Sequence, residues 1–264
     1  MIRSLIALLA LGSSFVPALA VDRVTVTHSD SVLPMRFEWH KEGPVDRCEK
    51  ICRTWISAVG VITSDSTRDF DHFTSDNEVQ GATLVLDSEG GSVVAALALG
   101  RAIRRFDMTT RVGKTIVLAS DDGEARATLS PNASCESMCA FLLLGGVRRY
   151  VPPEARVLVH MIWLGAKSNR AQEASYTAEE LGVVQQDIGS MARYTVDMGG
   201  SIELLETALR VPPWQPMYAL AAEELRRMRL TTLDSEEGIP LIGANALVRA
   251  NPNVPGFPAS IGNR

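Results

Sequence analysis

A serine that opens an apolar segment and a histidine that closes a strand-like segment are the residues of this sequence best suited to chemistry. Ser137 precedes the apolar run 138–144, and His160 ends the predicted strand 155–160. A serine hydroxyl is a weak nucleophile until a base removes its proton, and histidine is the side chain that titrates nearest neutral pH. The pair therefore suggests Ser137 as a nucleophile and His160 as its general base.

A glycine turn could supply the second requirement of acyl-transfer chemistry, which is a set of donors for an oxygen that becomes negative. Residues 82–86 predict a short buried strand, Ser88-Glu89-Gly90-Gly91-Ser92 predicts a turn, and apolar residues at helical spacing after Ser92 predict a helix. Two adjacent glycines let the backbone approach a ligand and aim an amide N–H at it. Taken alone, the same pattern is typical of an ordinary tight turn.

The elements around these residues predict an α/β fold in which strands and helices alternate. The polar stretch 121–134, just before Ser137, predicts a surface loop or hairpin and is a candidate lid. The predicted strands are 55–62 (broken at Gly60), 82–86, 110–118 and 155–160, and the predicted helices are 65–77, the segments after Ser92 and after Ser137, 171–198, 201–209 and 221–228.

The first 20 residues are typical of a secretory signal peptide. Arg3 is followed by the apolar run 5–11 and by the ending Ala18-Leu19-Ala20, which predicts cleavage before Val21. The apolar run is short for a membrane-spanning helix, and an uncleaved anchor is the alternative. We therefore expect a periplasmic or secreted protein with no stable membrane span after cleavage.

The rest of the chain predicts one large domain. The full sequence, in which 46% of the residues are apolar, is long enough to bury a sizeable core. We expect an irregular lead-in over 21–54, the domain over 55–237, and a flexible proline-rich tail over 238–264. The formal charge of −5 argues against nucleic acid as a partner, because nucleic-acid binding requires a basic face.

The four cysteines form two Cys-x-x-x-Cys pairs, Cys48/Cys52 and Cys135/Cys139. An even number of cysteines in an exported chain predicts disulfides. Residues four apart on a helix have Cα atoms about 6 Å apart, which a disulfide tolerates, so pairing within each motif is favoured over cross-links between motifs. A structural zinc site is the alternative, although this spacing is a weak indication of one.

In order and spacing, these motifs resemble the proteolytic subunit of the Clp protease and the wider Clp/crotonase superfamily. The resemblance extends over about residues 55–235. It implies a spiral of ββα units with a core parallel sheet flanked by helices. The matching stretches are 84–95 with the glycine turn, Ser137-Met138-Cys139-Ala140-Phe141-Leu142-Leu143 with Gly146, Arg149-Tyr150 through Pro153 to His160, and 221–234.

The resemblance also implies roles for single residues. Ser137 would be the nucleophile, His160 the general base, and the backbone N–H groups of Gly91 and Met138 the oxyanion hole. The implied reaction is hydrolysis of a peptide bond through an acyl-serine intermediate, without a metal or organic cofactor. Members of the superfamily assemble as trimers, hexamers or paired heptameric rings, so a homo-oligomer is implied as well.

The sequence departs from the family at the catalytic acid. The position expected after the long helix falls on Ala208 or Pro213, neither of which can orient a histidine. Glu203 and Glu206 are the nearest carboxylates. Corrupting the acid of a serine triad can lower turnover by about four orders of magnitude.

Three functions follow, in order of preference. The first is an exported serine hydrolase, a peptidase that acts on short or unfolded peptides without ATP, because an exported protein cannot rely on a cytosolic unfoldase. The second is a catalytically inactive binding or assembly module of the same fold, which the missing acid motivates. A crotonase-like acyl-CoA enzyme is disfavoured, because coenzyme A is cytosolic and the sequence offers no evident basic site for its phosphates.

Overall fold

A computed structural model describes residues 33–43, 52–118, 126–164, 172 and 175–239. The predicted signal peptide, Cys48 and residues 240–264 of the predicted tail lie outside these ranges. Among the described helices, none combines the length and apolar character that crossing a bilayer requires.

Strands and helices alternate along most of the described chain. The strands are β1 (Arg36–Lys41), β2 (Thr54–Val59), β3 (Thr83–Asp87), β4 (Thr109–Val112), β5 (Lys114–Leu118), β6 (Arg126–Ser130), β7 (Ser134–Glu136), β8 (Arg148–Tyr150), β9 (Arg156–Val159) and β10 (Tyr218–Ala219). The helices are α1 (Ser66–Asp76), α2 (Val93–Arg105), α3 (Met138–Leu143), α4 (Ala178–Asp197), α5 (Glu203–Leu209) and α6 (Ala222–Arg227), followed by a 3-10 turn at Glu236–Gly238.

The main sheet has five strands in the order β1-β2-β3-β4-β8, and only β1, at its edge, runs antiparallel to its neighbour. All five residues of β3 are buried, as expected for a parallel strand covered on both faces. A second sheet, β10-β9-β7, places β7 parallel to β9, and β5 pairs with β6 as a hairpin. The α/β class predicted from the sequence is confirmed.

The core lies between the main sheet and the packed helices α2 and α3. Every residue of α3 is buried, and α2 buries the face that carries Leu97, Leu99 and Ile103. Ser92 caps α2 by accepting a hydrogen bond from the Ala95 N–H, as predicted. These contacts fix α3, and with it Ser137 at the α3 start, against the centre of the fold.

Two arginines hold the other end of α3. Arg104 and Arg149 both donate hydrogen bonds to the carbonyl groups of Leu144, Gly146 and Met198, at 2.8–3.3 Å. The last carbonyls of a helix lack partners within it, so the arginines satisfy them and join α3 to the end of α4. Burial and the neighbouring Arg104 lower the pKa of Arg149 to about 10, which leaves it charged at neutral pH.

Three sequence predictions are modified by the structure. The prediction of a single strand over 110–118 is wrong, because the strand is interrupted at Gly113. β4 belongs to the main sheet, whereas β5 pairs with β6 outside it. The helix predicted to begin at 171 has its described start at Ala178, where Thr177 and Glu180 form a capping box. The predicted lead-in, 21–54, contains β1, which pairs along the whole of β2.

The contact between Gly100 of α2 and Tyr194 of α4 gives a test of this packing. A methyl group at position 100 would overlap the Tyr194 hydroxyl, and both residues are buried. We expect Gly100→Ala to lower the free energy of unfolding by about 1–3 kcal/mol, the usual cost of overpacking, in urea denaturation. Gly182→Ala is the matched control, since its methyl group would meet no atom within 4 Å, and should stabilise by about 1 kcal/mol. Equal stability of Gly100→Ala and the wild type would contradict the packing.

Candidate active site

Ser137 lies on a sharp turn between β7 and α3. Its backbone has φ 53° and ψ −120°, which non-glycine residues rarely adopt and which costs free energy unless the surroundings impose it. The Ser137 N–H donates to the Leu158 carbonyl of β9 at 2.8 Å, which holds the turn. A strained strand–turn–helix that presents a half-buried serine is the geometry of a nucleophile elbow.

A disulfide encloses this turn. Cys135 of β7 and Cys139 of α3 are bonded, with Cα atoms 5.1 Å apart, and both are fully buried. Pairing within the second Cys-x-x-x-Cys motif is therefore confirmed, and these two cysteines form neither a zinc site nor a free thiol. Cys52 is also disulfide-bonded, and its predicted partner, Cys48, lies outside the described residues.

The glycine turn after β3 packs directly on the serine turn. Gly90 and Gly91 have φ values of +88° and +138°, which favour glycine. A Cβ atom on Gly90 would lie 2.8 Å from the Ser137 Cβ atom and 2.9 Å from the Met138 nitrogen, and a Cβ atom on Gly91 would overlap the Ile62 carbonyl. Only glycine allows the two turns to approach this closely.

Backbone hydrogen bonds set the register of the two turns. The Ser88 N–H donates to the Ser134 carbonyl at 3.1 Å, and the Glu136 N–H donates to the Ser88 carbonyl at 2.9 Å. On its other side the glycine turn pairs with Ile62, which donates to the Gly90 carbonyl at 2.7 Å. The glycine turn is therefore held from both sides.

Two backbone N–H groups remain free at this junction. Within the described part of the chain, neither Gly91 nor Met138 donates a backbone hydrogen bond, and both residues line the cavity that contains Ser137. Met138 is buried and Gly91 is exposed at the mouth of the cavity, and donors without a backbone partner beside a candidate nucleophile can stabilise a developing oxyanion. The structure thus brings both predicted oxyanion-hole residues to the predicted nucleophile.

His160 follows β9 and is buried, with 8% of its surface exposed. Its Nδ1 atom lies 2.8 Å from the Met161 carbonyl oxygen, which can only accept, so Nδ1 carries the proton and Nε2 is the basic nitrogen. Met161 is itself held, because its N–H donates to the Val211 carbonyl at 2.9 Å. The Trp163 ring packs against the imidazole with ring centroids 4.5 Å apart.

Burial lowers the pKa of His160 below its ordinary value of 6.5, and the hydrogen bond to Met161 opposes this shift only in part. A buried imidazole is less well solvated when it is charged, so the neutral form is favoured. His160 is therefore neutral at pH 7, the state in which it can accept a proton.

Ser137 and His160 line one cavity of about 390 Å³, a volume typical of ligand sites. Their side chains are not hydrogen-bonded to each other, and Ser137 makes no side-chain hydrogen bond to any described residue. Catalytic hydrogen bonds are often long without substrate and tighten in the complex. The remaining lining residues are Glu89, Gly91, Ser92, Val93, Met138, Ile162, Trp163, Leu164 and Asp187.

The two carboxylates nearest the expected catalytic acid lie elsewhere. Glu203 forms an ion pair with Arg227 at 2.7 Å, Glu206 lies 4.0 Å from Arg210, and neither lines the cavity. Among the described residues, no carboxylate is hydrogen-bonded to His160. The position that a catalytic acid would take on Nδ1 is filled by the Met161 carbonyl.

Three features of the site were not predicted from the sequence: the Met161 carbonyl that holds His160, and the Trp163 ring and the Asp187 carboxylate that line the cavity. The described part of the hairpin predicted as a lid does not line this cavity. Residues 132–134 instead line a second cavity of about 370 Å³, which adjoins the first through Glu89. Among the described residues, no group of three or more His, Cys, Asp or Glu side chains could hold a metal ion.

A comparison with protein-family models finds none that matches this sequence.

The disulfide around Ser137 can be tested by removal. We expect Cys135→Ala/Cys139→Ala to lower the free energy of unfolding by about 2 kcal/mol, the chain-entropy value for so short a loop, in urea denaturation. Dithiothreitol provides the control: it should destabilise the wild type by at least as much as the substitutions, because it also reduces the bond at Cys52. Unchanged stability of the double variant would show that the bond does not support the turn.

Proposed function

We propose that this chain is an exported serine hydrolase that cleaves peptide bonds without ATP and has the Clp/crotonase fold. One observation carries the proposal: a single cavity is lined by a strained serine, a neutral buried histidine and two backbone N–H groups that have no backbone acceptor among the described residues. Nucleophile, base and oxyanion donors are the three parts that acyl transfer requires. They come from three separate chain segments, the glycine turn, the serine turn and the end of β9, which makes a chance assembly a poor explanation.

The superfamily assignment is part of the same proposal. The parallel order β2-β3-β4-β8, with helices between successive strands, is compatible with a spiral of ββα units. The glycine turn, the serine turn and the histidine occur in the family's order and meet at one cavity. The family's homo-oligomeric assembly is proposed on the same resemblance.

Acylation would begin when the Ser137 Oγ atom attacks the substrate carbonyl carbon while His160 Nε2 takes the Oγ proton. The carbonyl oxygen becomes negative and accepts hydrogen bonds from the N–H groups of Gly91 and Met138. Collapse of this intermediate breaks the C–N bond, and the His160 imidazolium gives its proton to the leaving amine. An acyl-serine and a free amine result.

Deacylation repeats these steps with water as the nucleophile. His160 Nε2 takes a proton from the water molecule that attacks the acyl carbon, and the same two N–H groups hold the second oxyanion. Breaking of the ester bond returns the proton to Ser137 Oγ and releases a carboxylic acid. The cycle is complete without any other reactant.

The Met161 carbonyl would replace the carboxylate of a triad. It fixes the imidazole tautomer and orientation, as a catalytic acid does, but it carries no net charge to stabilise the imidazolium that forms. We therefore propose slower turnover than a complete triad gives.

Export is supported by the Cys135–Cys139 bond, because disulfides persist mainly in oxidising compartments. This agrees with the signal peptide proposed for residues 1–20. A periplasmic or secreted location follows from both, and the proposed substrates are peptides or unfolded proteins that reach that compartment.

A second candidate is a catalytically inactive module of the same fold that binds a ligand or assembles with partners. The observation that favours it is the lack of a hydrogen bond between Ser137 and His160, together with the absence of a carboxylate on the imidazole among the described residues. The same cavity would then bind a peptide without cleaving it.

Covalent labelling separates the two candidates. We expect a fluorophosphonate to modify the wild type at Ser137, identified by peptide mass spectrometry, and not to modify Ser137→Ala. Ser64→Ala, at an exposed serine outside the cavity, is the matched control and should label normally. His160→Ala should slow labelling by about 10²–10⁴-fold, the usual contribution of a general base. A wild-type protein that resists labelling, while a known serine peptidase reacts, would favour the inactive module.

The pH dependence of labelling tests the state of His160. The base must be neutral to act, so the labelling rate should rise with pH to a plateau. The midpoint of the rise should lie below pH 6.5, because burial lowers the pKa of His160. Circular dichroism over the same range would control for unfolding. A midpoint above 6.5 would mean that the imidazole is not in the buried state described here.

A further inference from the structure

The cavity wall beyond the catalytic groups combines apolar side chains with negative charge. Val93, Ile162, Trp163 and Leu164 provide the apolar part. Glu89 and Asp187 provide two carboxylates, whereas no lysine or arginine is found among the described residues that line this cavity. The wall therefore offers an apolar surface and a negative potential side by side.

Asp187 is the more informative carboxylate. It lies in the middle of α4, is half-buried, and makes no hydrogen bond or ion pair with any other described residue. Burial raises the pKa of Asp187, and no nearby charge contributes to the shift. A carboxylate removed from water without a partner costs free energy, so a cation in the cavity would be stabilised beside it.

Asp187 does not act as the missing catalytic acid in this geometry. The acid of a serine triad accepts a hydrogen bond from Nδ1–H of the histidine. Here the Met161 carbonyl oxygen, 2.8 Å from His160 Nδ1, accepts that hydrogen bond instead. The other nitrogen, Nε2, is needed for Ser137. Neither nitrogen of His160 is available to Asp187, so its carboxylate is left to face the substrate.

Resting on the serine hydrolase function proposed above, we infer that Asp187 selects substrates with a lysine or arginine side chain beside the scissile bond. Such a side chain has an aliphatic stem and a cationic head. The stem matches the apolar residues of the wall, and the head matches the Asp187 carboxylate, which is paired with no other described residue.

The adjoining second cavity strengthens the same preference. Four carboxylates, those of Asp87, Glu89, Glu136 and Glu154, line it against two cations, Lys114 and Arg156. Burial and the Glu89 charge raise the pKa of Glu136, as expected where negative groups crowd together. Negative potential around a cleft raises the local concentration of cationic ligands and their rate of association.

Two peptidyl phosphonate diphenyl esters that differ only in one side chain give the test. One carries an aminobutyl group beside the phosphorus atom, as in lysine, and the other a butyl group, with both N-termini acetylated. The readout is the second-order rate constant for modification of Ser137 by intact-mass spectrometry. For the wild type we expect the aminobutyl probe to react about tenfold faster or more, the value of one hydrogen bond to a charged group.

Asp187→Asn keeps the shape of the side chain and removes its charge, so it should reduce the rate ratio toward one. The matched control is Asp197→Asn, at the exposed end of the same helix, which should keep the wild-type ratio. Because the ratio compares two probes on one protein, a general loss of reactivity through altered folding cancels.

The outcomes separate this inference from the proposed function. Equal rates for the two probes, a wild-type ratio retained in Asp187→Asn, or faster reaction of a glutamate-like probe would overturn the cationic preference and leave the hydrolase intact. If the rate difference between the probes appeared only with a free N-terminus, the cation that Asp187 recognises would be the α-ammonium group of the probe and not its side chain. That result would also overturn the inference. Failure of every probe to modify Ser137 would overturn the proposed function itself, and this inference with it.

Discussion

The site depends on two backbone hydrogen bonds that join Ser88 to β7. Through them the glycine turn and the serine turn share one register, although distant parts of the sequence supply the two turns. A shift of either strand would separate the free N–H groups of Gly91 and Met138, because each group is aimed by its own turn. The proposed oxyanion hole is therefore a property of strand pairing and not of any side chain.

The strained conformation of Ser137 is maintained by its surroundings. A disulfide closes the chain around it, the Leu158 carbonyl holds its N–H, and the core buries every residue of α3. At the far end, Arg104 and Arg149 satisfy the last carbonyls of the helix. The strained backbone of Ser137 destabilises the folded state slightly, and the surrounding packing offsets this cost, as is common at functional sites.

Much of the site could be predicted from the sequence because its parts are local patterns. A turn with adjacent glycines, a serine before an apolar helix, a histidine after a strand and a cysteine four residues from another can each be recognised within a few residues. The Met161 carbonyl could not be predicted, since every residue has a carbonyl and only the fold selects one. The place of Asp187 in the cavity could not be predicted from the sequence either, because only tertiary packing brings a residue of α4 to the cavity. The split at Gly113 was missed because β-branched residues lie on both sides of it and a single glycine does not by itself end a strand.

The proposed catalytic geometry is tested most directly by a crystal structure of the protein after reaction with a peptidyl phosphonate. We expect phosphorus bonded to Ser137 Oγ, with one phosphoryl oxygen about 2.7–3.1 Å from both the Gly91 and the Met138 nitrogen atoms. We also expect His160 Nε2 within hydrogen-bonding distance of the adduct and Nδ1 still bonded to the Met161 carbonyl. An adduct whose oxygen points into solvent, or a His160 turned away from it, would contradict the proposed geometry.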